Sequence, residues 1–325
     1  MIDKNATESV ARLALGDRNL GVVRTDEPLR LHSNWKIGGP ADVFIEPENE
    51  EQIANAICVA NENDIPLVVI GDGTNLLFDD KGVRGIVLNL GRSFGRHTIE
   101  RNVVKAEAGI WVPRLARITA SSGLAGLEHI VGIPGTLGGL VWMNGGSLRK
   151  GIGENVISVS AIDMKGNTNV LTNEECGFSY RGSAFQKMKA IIVGVELELK
   201  PGNQREIKSS MLKILRSRSS KFPRKLPNCG SVFMSVSDLY EQYGPPGKII
   251  EDLGFKGRRI GDAQVSKVHA NFILNRGNAS SVDMLELIKQ IRLSVYKKTN
   301  MWINCEVHYV HPAGKIEPAH MALAP

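Results

Sequence analysis

The stretch Val69-Ile70-Gly71-Asp72-Gly73-Thr74-Asn75-Leu76-Leu77 carries a short β-rich apolar run straight into a loop of small and polar residues. In such a loop backbone N–H groups can converge on phosphate oxygens, because no side chain blocks the approach. A second cluster reads Gly132-Ile133-Pro134-Gly135-Thr136-Leu137-Gly138-Gly139, followed by Trp142-Met143-Asn144-Gly145-Gly146. Either cluster by itself reads equally well as a tight turn. The dinucleotide fingerprint GxGxxG fails here: Gly71 and Gly73 have its first spacing, but Leu76 stands where its third glycine belongs. No acidic residue follows at a strand end about 20 positions later. A Rossmann domain is therefore disfavoured.

Outward from the first loop, Ile53, Ile57 and Ala60 share a helical face that ends before Pro66. Apolar runs at 66–71 and 85–90 flank the loop, so helix, strand, loop and strand succeed one another in an α+β order. From about 80 to 200 the chain is mainly short strands between glycine turns, with VVKAEAG, ISVSAIDM and AIIVGVELEL as the clearest. One helix is expected there, over 111–123, with Val112, Leu115, Ala116 and Thr119 on one face. A third part begins near 203 with a basic helix to about Ser219. A helix-turn-strand pattern covers 249–275. Ser280 and Asp283 then have capping-box spacing ahead of a helix striped by Met284, Ile288, Ile291 and Val295. The final run WINCEVHYV alternates, which puts Glu306 and His308 on one face of a strand and Cys305 and Val307 on the other. The expected divisions are 1–82, 83–203 and 204–312, with 313–325 as a loosely held tail.

The composition suits a soluble globular protein: 325 residues, 42% hydrophobic and 23% charged. The oddity is glycine, 34 residues or roughly one in ten, against about 7% in average usage. The four cysteines, Cys58, Cys176, Cys229 and Cys305, lie far apart without metal-ligand spacing. Buried thiols in a reducing cytoplasm are expected, and no metal. The N-terminal residues lack an apolar signal-peptide core, and no stretch approaches the roughly 20 apolar residues that span a bilayer. A cytoplasmic protein without membrane insertion is expected. The net charge of +6 is concentrated at Lys208, Lys213, Arg216, Arg218, Lys221, Arg224 and Lys225. This segment has one aromatic, Phe222, and no nucleic-acid motif around it, so it reads either as a solvated helix face or as cations that meet a pyrophosphate.

Taken in order, the clusters and their flanks are far more specific than either alone. Asn34-Trp35-Lys36-Ile37-Gly38-Gly39-Pro40-Ala41-Asp42, the loops at 71–77 and 132–139, Phe178-Ser179-Tyr180-Arg181-Gly182-Ser183, Asn228-Cys229-Gly230-Ser231-Val232-Phe233, Gly261-Asp262-Ala263-Gln264-Val265-Ser266 and His269-Ala270-Asn271 run from about 30 to 310. In these segments the sequence resembles the UDP-N-acetylenolpyruvoylglucosamine reductase family, and in its YRxS and NCGSVF wording the second subtype of that family. The resemblance implies an α+β flavoprotein fold of the vanillyl-alcohol-oxidase (PCMH) type. Residues 1–82 and 83–203 would be two FAD-binding subdomains, and 204–312 a third α+β domain for the substrate. It places Gly71, Gly73, Thr74, Asn75, Leu76, Gly132, Ile133, Pro134, Gly135, Thr136, Gly139 and Asn144 against FAD. It further implies NADPH as co-substrate, a UDP-sugar enol ether as substrate and a monomer as the working form.

The same resemblance implies a catalytic trio. Arg181 offers a planar, permanently charged fork to a carboxylate on which charge builds, although beside a tyrosine it also reads as a surface ion pair. Ser231 would donate a proton to an enolate-like carbon, although a Gly-Ser pair is usually a turn. Glu306 could orient the carboxylate or act as an acid, its pKa raised by like charge, although the pattern alone gives a solvated strand residue. Tyr180 and Lys221 are further substrate candidates, for the sugar side and the pyrophosphate, and Asn271 reads as either a polar contact or a turn. Three places depart from the family's wording: Met234-Ser235-Val236, Asn144-Gly145-Gly146-Ser147-Leu148-Arg149, and Cys305-Glu306-Val307-His308. These motivate an alternative, a flavin reductase acting on another nucleotide-linked substrate. A non-catalytic flavin binder is a third reading and nucleic-acid binding a distant fourth.

Overall fold

Helix α1 (Glu50–Glu62) starts where Asn49 accepts the Gln52 N–H at 3.0 Å, with Glu50 and Glu51 in the first turn. Both features satisfy the positive, donor-rich end of a helix. In the computed structural model, which describes residues 18–323, the chain divides into two compact units. The first holds the chain through Thr25, Asp42–Asp72 and Gly85–Arg218; the second holds Asp26–Ala41, Gly73–Arg84 and the chain from Ser219 on. The chain crosses between these units five times. One falls inside the glycine loop, between Asp72 and Gly73, and another near the end of the basic helix.

Strands β1 (Val22–Pro28), β2 (Pro40–Glu46), β3 (Leu67–Ile70), β4 (Leu76–Phe78) and β5 (Val83–Asn89) begin the chain, and four of them form a sheet in the order β1-β2-β5-β3. Strand β3 runs parallel to β5, Leu67 opposite Ile86 and Ile70 opposite Asn89. Val43, Phe44, Ile45, Ile86, Val87 and Leu88 are all fully buried. Strands covered on both faces read as continuous apolar runs, which is why this segment shows no alternation.

The first unit also contains β6 (His97–Glu100), β7 (Val103–Glu107), a two-residue β8 (Leu124–Ala125), β9 (Val156–Asp163), β10 (Thr168–Thr172), β11 (Ala190–Glu198) and a two-residue β12 (Lys200–Pro201). The longer ones make an antiparallel sheet, β10-β9-β11-β7-β6. Helix α2 (Val112–Ser121), with Pro113 in its first turn, the short α3 (Leu137–Trp142) and α4 (Gln204–Lys221) complete it. Only Ile207 and Met211 of α4 are buried, so most of the basic helix is a solvated face.

The second unit has its own apolar core, centred on Trp35, Phe233, Phe255, Ile288 and Ile291. It contains α5 (Ser237–Tyr243), α6 (Pro246–Asp252), the hairpin strands β13 (Arg259–Ile260), β14 (Ala263–Val265) and β15 (Ile273–Asn275), and α7 (Ser281–Thr299). The capping box at α7 forms as the spacing requires, with Ser280 accepting from the Asp283 N–H and Asp283 accepting from the Ser280 N–H. Trp35 is fully buried and donates its indole N–H to the Ile273 carbonyl at 2.7 Å, while Asn275 donates to the Trp35 carbonyl at 2.8 Å.

Two expectations about the C-terminus do not hold. The alternating run at 302–310 yields a strand only over β16 (His308–Val310), because its parallel partner β4 is three residues long. Cys305 makes a single bridge to Phe233 instead, and His308 is buried while Glu306 is half-buried. The tail expected to be loose forms β17 (Ile316–Pro318), antiparallel to β16, and a 3-10 turn at Ala319–Met321. Only residues 324 and 325 of that tail lie outside the described residues.

Candidate active site

In the first unit the two glycine clusters meet. A Cβ built on Gly71 would stand 2.2 Å from the Thr136 hydroxyl oxygen. Asn89 holds the Gly71 carbonyl at 2.8 Å, and the Gly135 carbonyl accepts from Val112 at 2.9 Å. Leu137 and Gly138 donate to Ile110 and Ala108, and Leu140 donates to Thr136. Among the described residues the Gly139 N–H has no backbone acceptor, and Gly139 and Pro134 are exposed. An exposed donor on side-chain-free backbone at a helix start suits an anion. This geometry fits the pyrophosphate of a dinucleotide such as FAD. Asp72, between the two loop glycines, has its carboxyl pushed up by burial, against the pull of Arg92. Ile133 packs on the first unit's core, and Gly132 backs onto the Arg218 side chain, whose proton affinity is lowered by burial.

Arg181 lies in the same unit, at the tip of a tight turn closed by paired hydrogen bonds between Ser179 and Gly182 (2.9 and 3.2 Å). Its φ is 55°, left-handed for a residue with a long side chain, a strain that persists only where surroundings impose it. The surroundings are specific. Asn144 donates to the Ser179 carbonyl at 2.8 Å and accepts from the Gly153 N–H at 3.0 Å, Ser183 donates to Trp142 at 2.8 Å, and Gln186 donates to the Arg181 carbonyl at 3.0 Å. The Asn144 amide is thus engaged at both ends by protein backbone. These bonds make Asn144, which the resemblance places against FAD, also a brace of the arginine turn. The Arg181 guanidinium stands 5.2 Å above the Tyr180 ring, which is 62% exposed.

In the second unit the remaining candidates converge on one short backbone ladder. Glu306 donates its N–H to the Val232 carbonyl at 2.8 Å, and Met234 donates to Asn304 at 2.9 Å around the Phe233–Cys305 bridge. Ser231 and Glu306 therefore lie on paired segments one register step apart. Gly230 precedes Ser231 at φ 79°, with nothing within 4 Å of where its Cβ would be. Met234 spends its N–H in this ladder, and the Val236 carbonyl, at the start of α5, accepts from the Tyr240 N–H, so two of the three departing residues serve through their backbone.

Asn75 of the glycine loop donates to the Glu306 carbonyl at 2.9 Å, and Gly73, at φ 57°, packs against the His32 carbonyl. Thr74 and Leu76 are half-buried beside them. Asn271 is buried: its Oδ1 accepts from the Phe233 N–H and its Nδ2 donates to the Phe233 carbonyl, both at 2.9 Å. Asn271 read as either a polar contact or a turn; its amide bonds the Phe233 backbone at both ends and so helps fix the serine segment. Lys221 is exposed at the end of α4, beside Phe222, which stacks on Phe272 at 5.1 Å. Two contributors escaped sequence reading. His308 and His320 flank this ladder, and only the strand alternation hinted at the first. Cys176, Cys229 and Cys305 are buried, and burial pushes the Cys176 thiol up to about 11 and Cys305 up to about 12; Cys58 is half-buried. Among the described residues no group of three His, Cys, Asp or Glu is placed to hold a metal ion, and no helix is long and apolar enough to cross a membrane.

The fold and the glycine cradle define an FAD-binding oxidoreductase, and residues 41–172 match the FAD binding domain family. Residues 222–310 match the C-terminal domain of UDP-N-acetylenolpyruvoylglucosamine reductase. The reductase 1 of that name from Corynebacterium glutamicum is 46% identical over 296 residues, 91% of this chain and 88% of that one. The Heliobacterium modesticaldum reductase is 40% identical over 289 residues, 89% of this chain and 90% of that one. The crystal structure of the Thermus caldophilus enzyme (MurB) superposes with a TM-score of 0.75 at 30% identity, covering 89% of this chain and 99% of that one. The chain belongs to the UDP-N-acetylenolpyruvoylglucosamine reductase family.

Proposed function

We propose that this chain reduces the enol ether of UDP-N-acetylenolpyruvoylglucosamine to the lactyl ether of UDP-N-acetylmuramate, a step of peptidoglycan precursor synthesis, with FAD bound and NADPH as reductant. The observation that carries the reading is the pairing of Ser231 and Glu306 on one ladder of the second unit, in a chain whose relatives over about nine tenths of its length bear that enzyme's name; the strained, braced Arg181 turn of the first unit supports it separately. Those names favour this reading over another nucleotide-linked substrate.

When bound and reduced by NADPH, FAD would supply the hydride needed at the terminal carbon of the enolpyruvyl group. The Arg181 fork pairs with the substrate carboxylate, into which charge from the adjacent carbon spreads. An interaction that strengthens as that charge develops lowers the barrier, and one such donor is worth about 3 kcal/mol. Ser231 delivers its hydroxyl proton to the adjacent carbon, so one hydride and one proton saturate the double bond. Glu306 orients the carboxylate and, when protonated, assists as an acid. Gly71, Gly135 and Gly139 bring bare backbone to the pyrophosphate, with Thr136 beside them. Lys221 and Tyr180 take the substrate's pyrophosphate and sugar.

The test is NADPH oxidation by FAD-loaded protein with and without UDP-N-acetylenolpyruvoylglucosamine. Substrate-dependent turnover is expected, and a yellow protein that oxidises no NADPH with this substrate would overturn the reading. Ser231→Ala is expected to lose a factor of about 10² to 10⁴ in turnover.

A further inference from the structure

The match to the family's C-terminal domain ends at residue 310, but the fold does not. His311 turns the chain, accepting from the Gly314 N–H and donating its own N–H to Lys315, each at 2.9 Å. Strand β17 then pairs with β16 over His308–Pro318, Tyr309–Glu317 and Val310–Ile316. Glu317 fastens this hairpin to His311 (2.7 Å) and Lys315 (2.6 Å). Ala319 is fully buried in the second unit's core.

What this returning segment touches is the backbone on either side of Glu306. Ala319 donates its N–H to the Val307 carbonyl at 2.9 Å, and the Cys305 N–H donates to Nδ1 of His320 at 3.1 Å. Glu306's own N–H and carbonyl are taken by Val232 and Asn75. Three consecutive residues are thus fixed by four hydrogen bonds, two of them from residues past the matched domain. A ring nitrogen that accepts must be unprotonated, so His320 is neutral with its proton on Nε2. Its surroundings agree: burial and nearby Arg292 lower its proton affinity, with Glu317 opposing.

We propose that His320 is a positioning residue for Glu306, acting through the Cys305 amide, and that residues 311–321 form a clasp that holds the carboxylate in register with Ser231. This rests on the role given to Glu306 above. A side chain displaced by a fraction of an ångström loses much of its effect on a reacting group, so removing the acceptor costs about tenfold in the step Glu306 serves.

The experiment compares His320→Ala and His320→Phe, which lack the acceptor, with His320→Asn, whose Oδ1 can replace Nδ1, and with Glu306→Gln. FAD-loaded protein is reduced by NADPH in one measurement, and reoxidised by UDP-N-acetylenolpyruvoylglucosamine in another. Amide hydrogen exchange at Cys305 is followed separately. The acceptor-less variants are expected to reduce at the wild-type rate, reoxidise about tenfold more slowly and exchange Cys305 faster. His320→Asn is expected to restore both. Slow Glu306→Gln with wild-type reoxidation in whichever acceptor-less variant folds would overturn the clasp alone. Wild-type reoxidation in Glu306→Gln would instead overturn the role of Glu306, and the proposal with it.

Discussion

Gly71 and Thr136 pack so closely that a Cβ on the glycine would stand 2.2 Å from the threonine hydroxyl oxygen. Rotating the threonine does not clear the space, because its Cγ2 and Cβ stand at 3.1 and 3.2 Å from the same point. Gly71→Ala is therefore expected to destabilise the protein by about 1–3 kcal/mol, as overpacking does, and to lower FAD content. Thr136→Ala removes the two clashing atoms, so the double variant is expected to recover stability. Thermal melts and flavin absorbance of the four proteins of this cycle check it; equal losses in Gly71→Ala and the double variant would refute it.

Gly230 gives the opposite case. Its φ of 79° forbids side chains for backbone reasons alone, because the space around it is open. Gly230→Ala is expected to cost about 1 kcal/mol in denaturant unfolding, with no second-site rescue. Because the strain falls on the peptide that presents Ser231, flavin reoxidation by substrate is expected to slow more than flavin reduction by NADPH. Equal effects on the two half-reactions would separate Gly230 from the serine's function.

Arg181 shows the same trade at a charged residue. At φ 55° an asparagine is less strained than an arginine, since its short polar side chain tolerates the left-handed region. Arg181→Asn is expected to keep the melting temperature or raise it, while turnover falls by about 10² to 10³. Loss of stability in step with activity would mean that the arginine is structural.

How much of this was legible varies with the kind of signal. The capping box at Ser280 and Asp283, the amphipathic stripe of α7 and the apolar runs of β3 and β5 were readable because local spacing dictates them. The candidate trio was readable only through ordered motifs. The backbone bonds of Asn271 and Asn144 were not legible, because an amide beside a motif looks alike in sequence whether it faces a ligand or a backbone. The unit boundaries were not legible, since β1, β2 and β5 each cross from one unit to the other and no composition change marks the crossing. The tail lacks periodicity, and its order comes from pairing with β16, a contact that no local pattern announces.

His308 supplies a pH test of the ladder. Burial drives its pKa down to about 4, against help from the Glu306 backbone, and the nearby His320 lowers it further. In the unfolded chain the same group titrates at about 6.5. Between these values the unfolded state binds the proton and the folded state does not, so stability is full above about pH 6.5 and falls as the pH drops towards 4. The loss from this residue alone is at most about 3 kcal/mol. His129, His269 and His320 are shifted in the same direction by burial and add to the same window. Denaturant midpoints measured from pH 7.5 to about pH 4.5 are expected to fall steadily, and the slope is expected to flatten in His308→Gln, which cannot take up the proton. An unchanged slope in that variant would place the acid sensitivity elsewhere than at this strand.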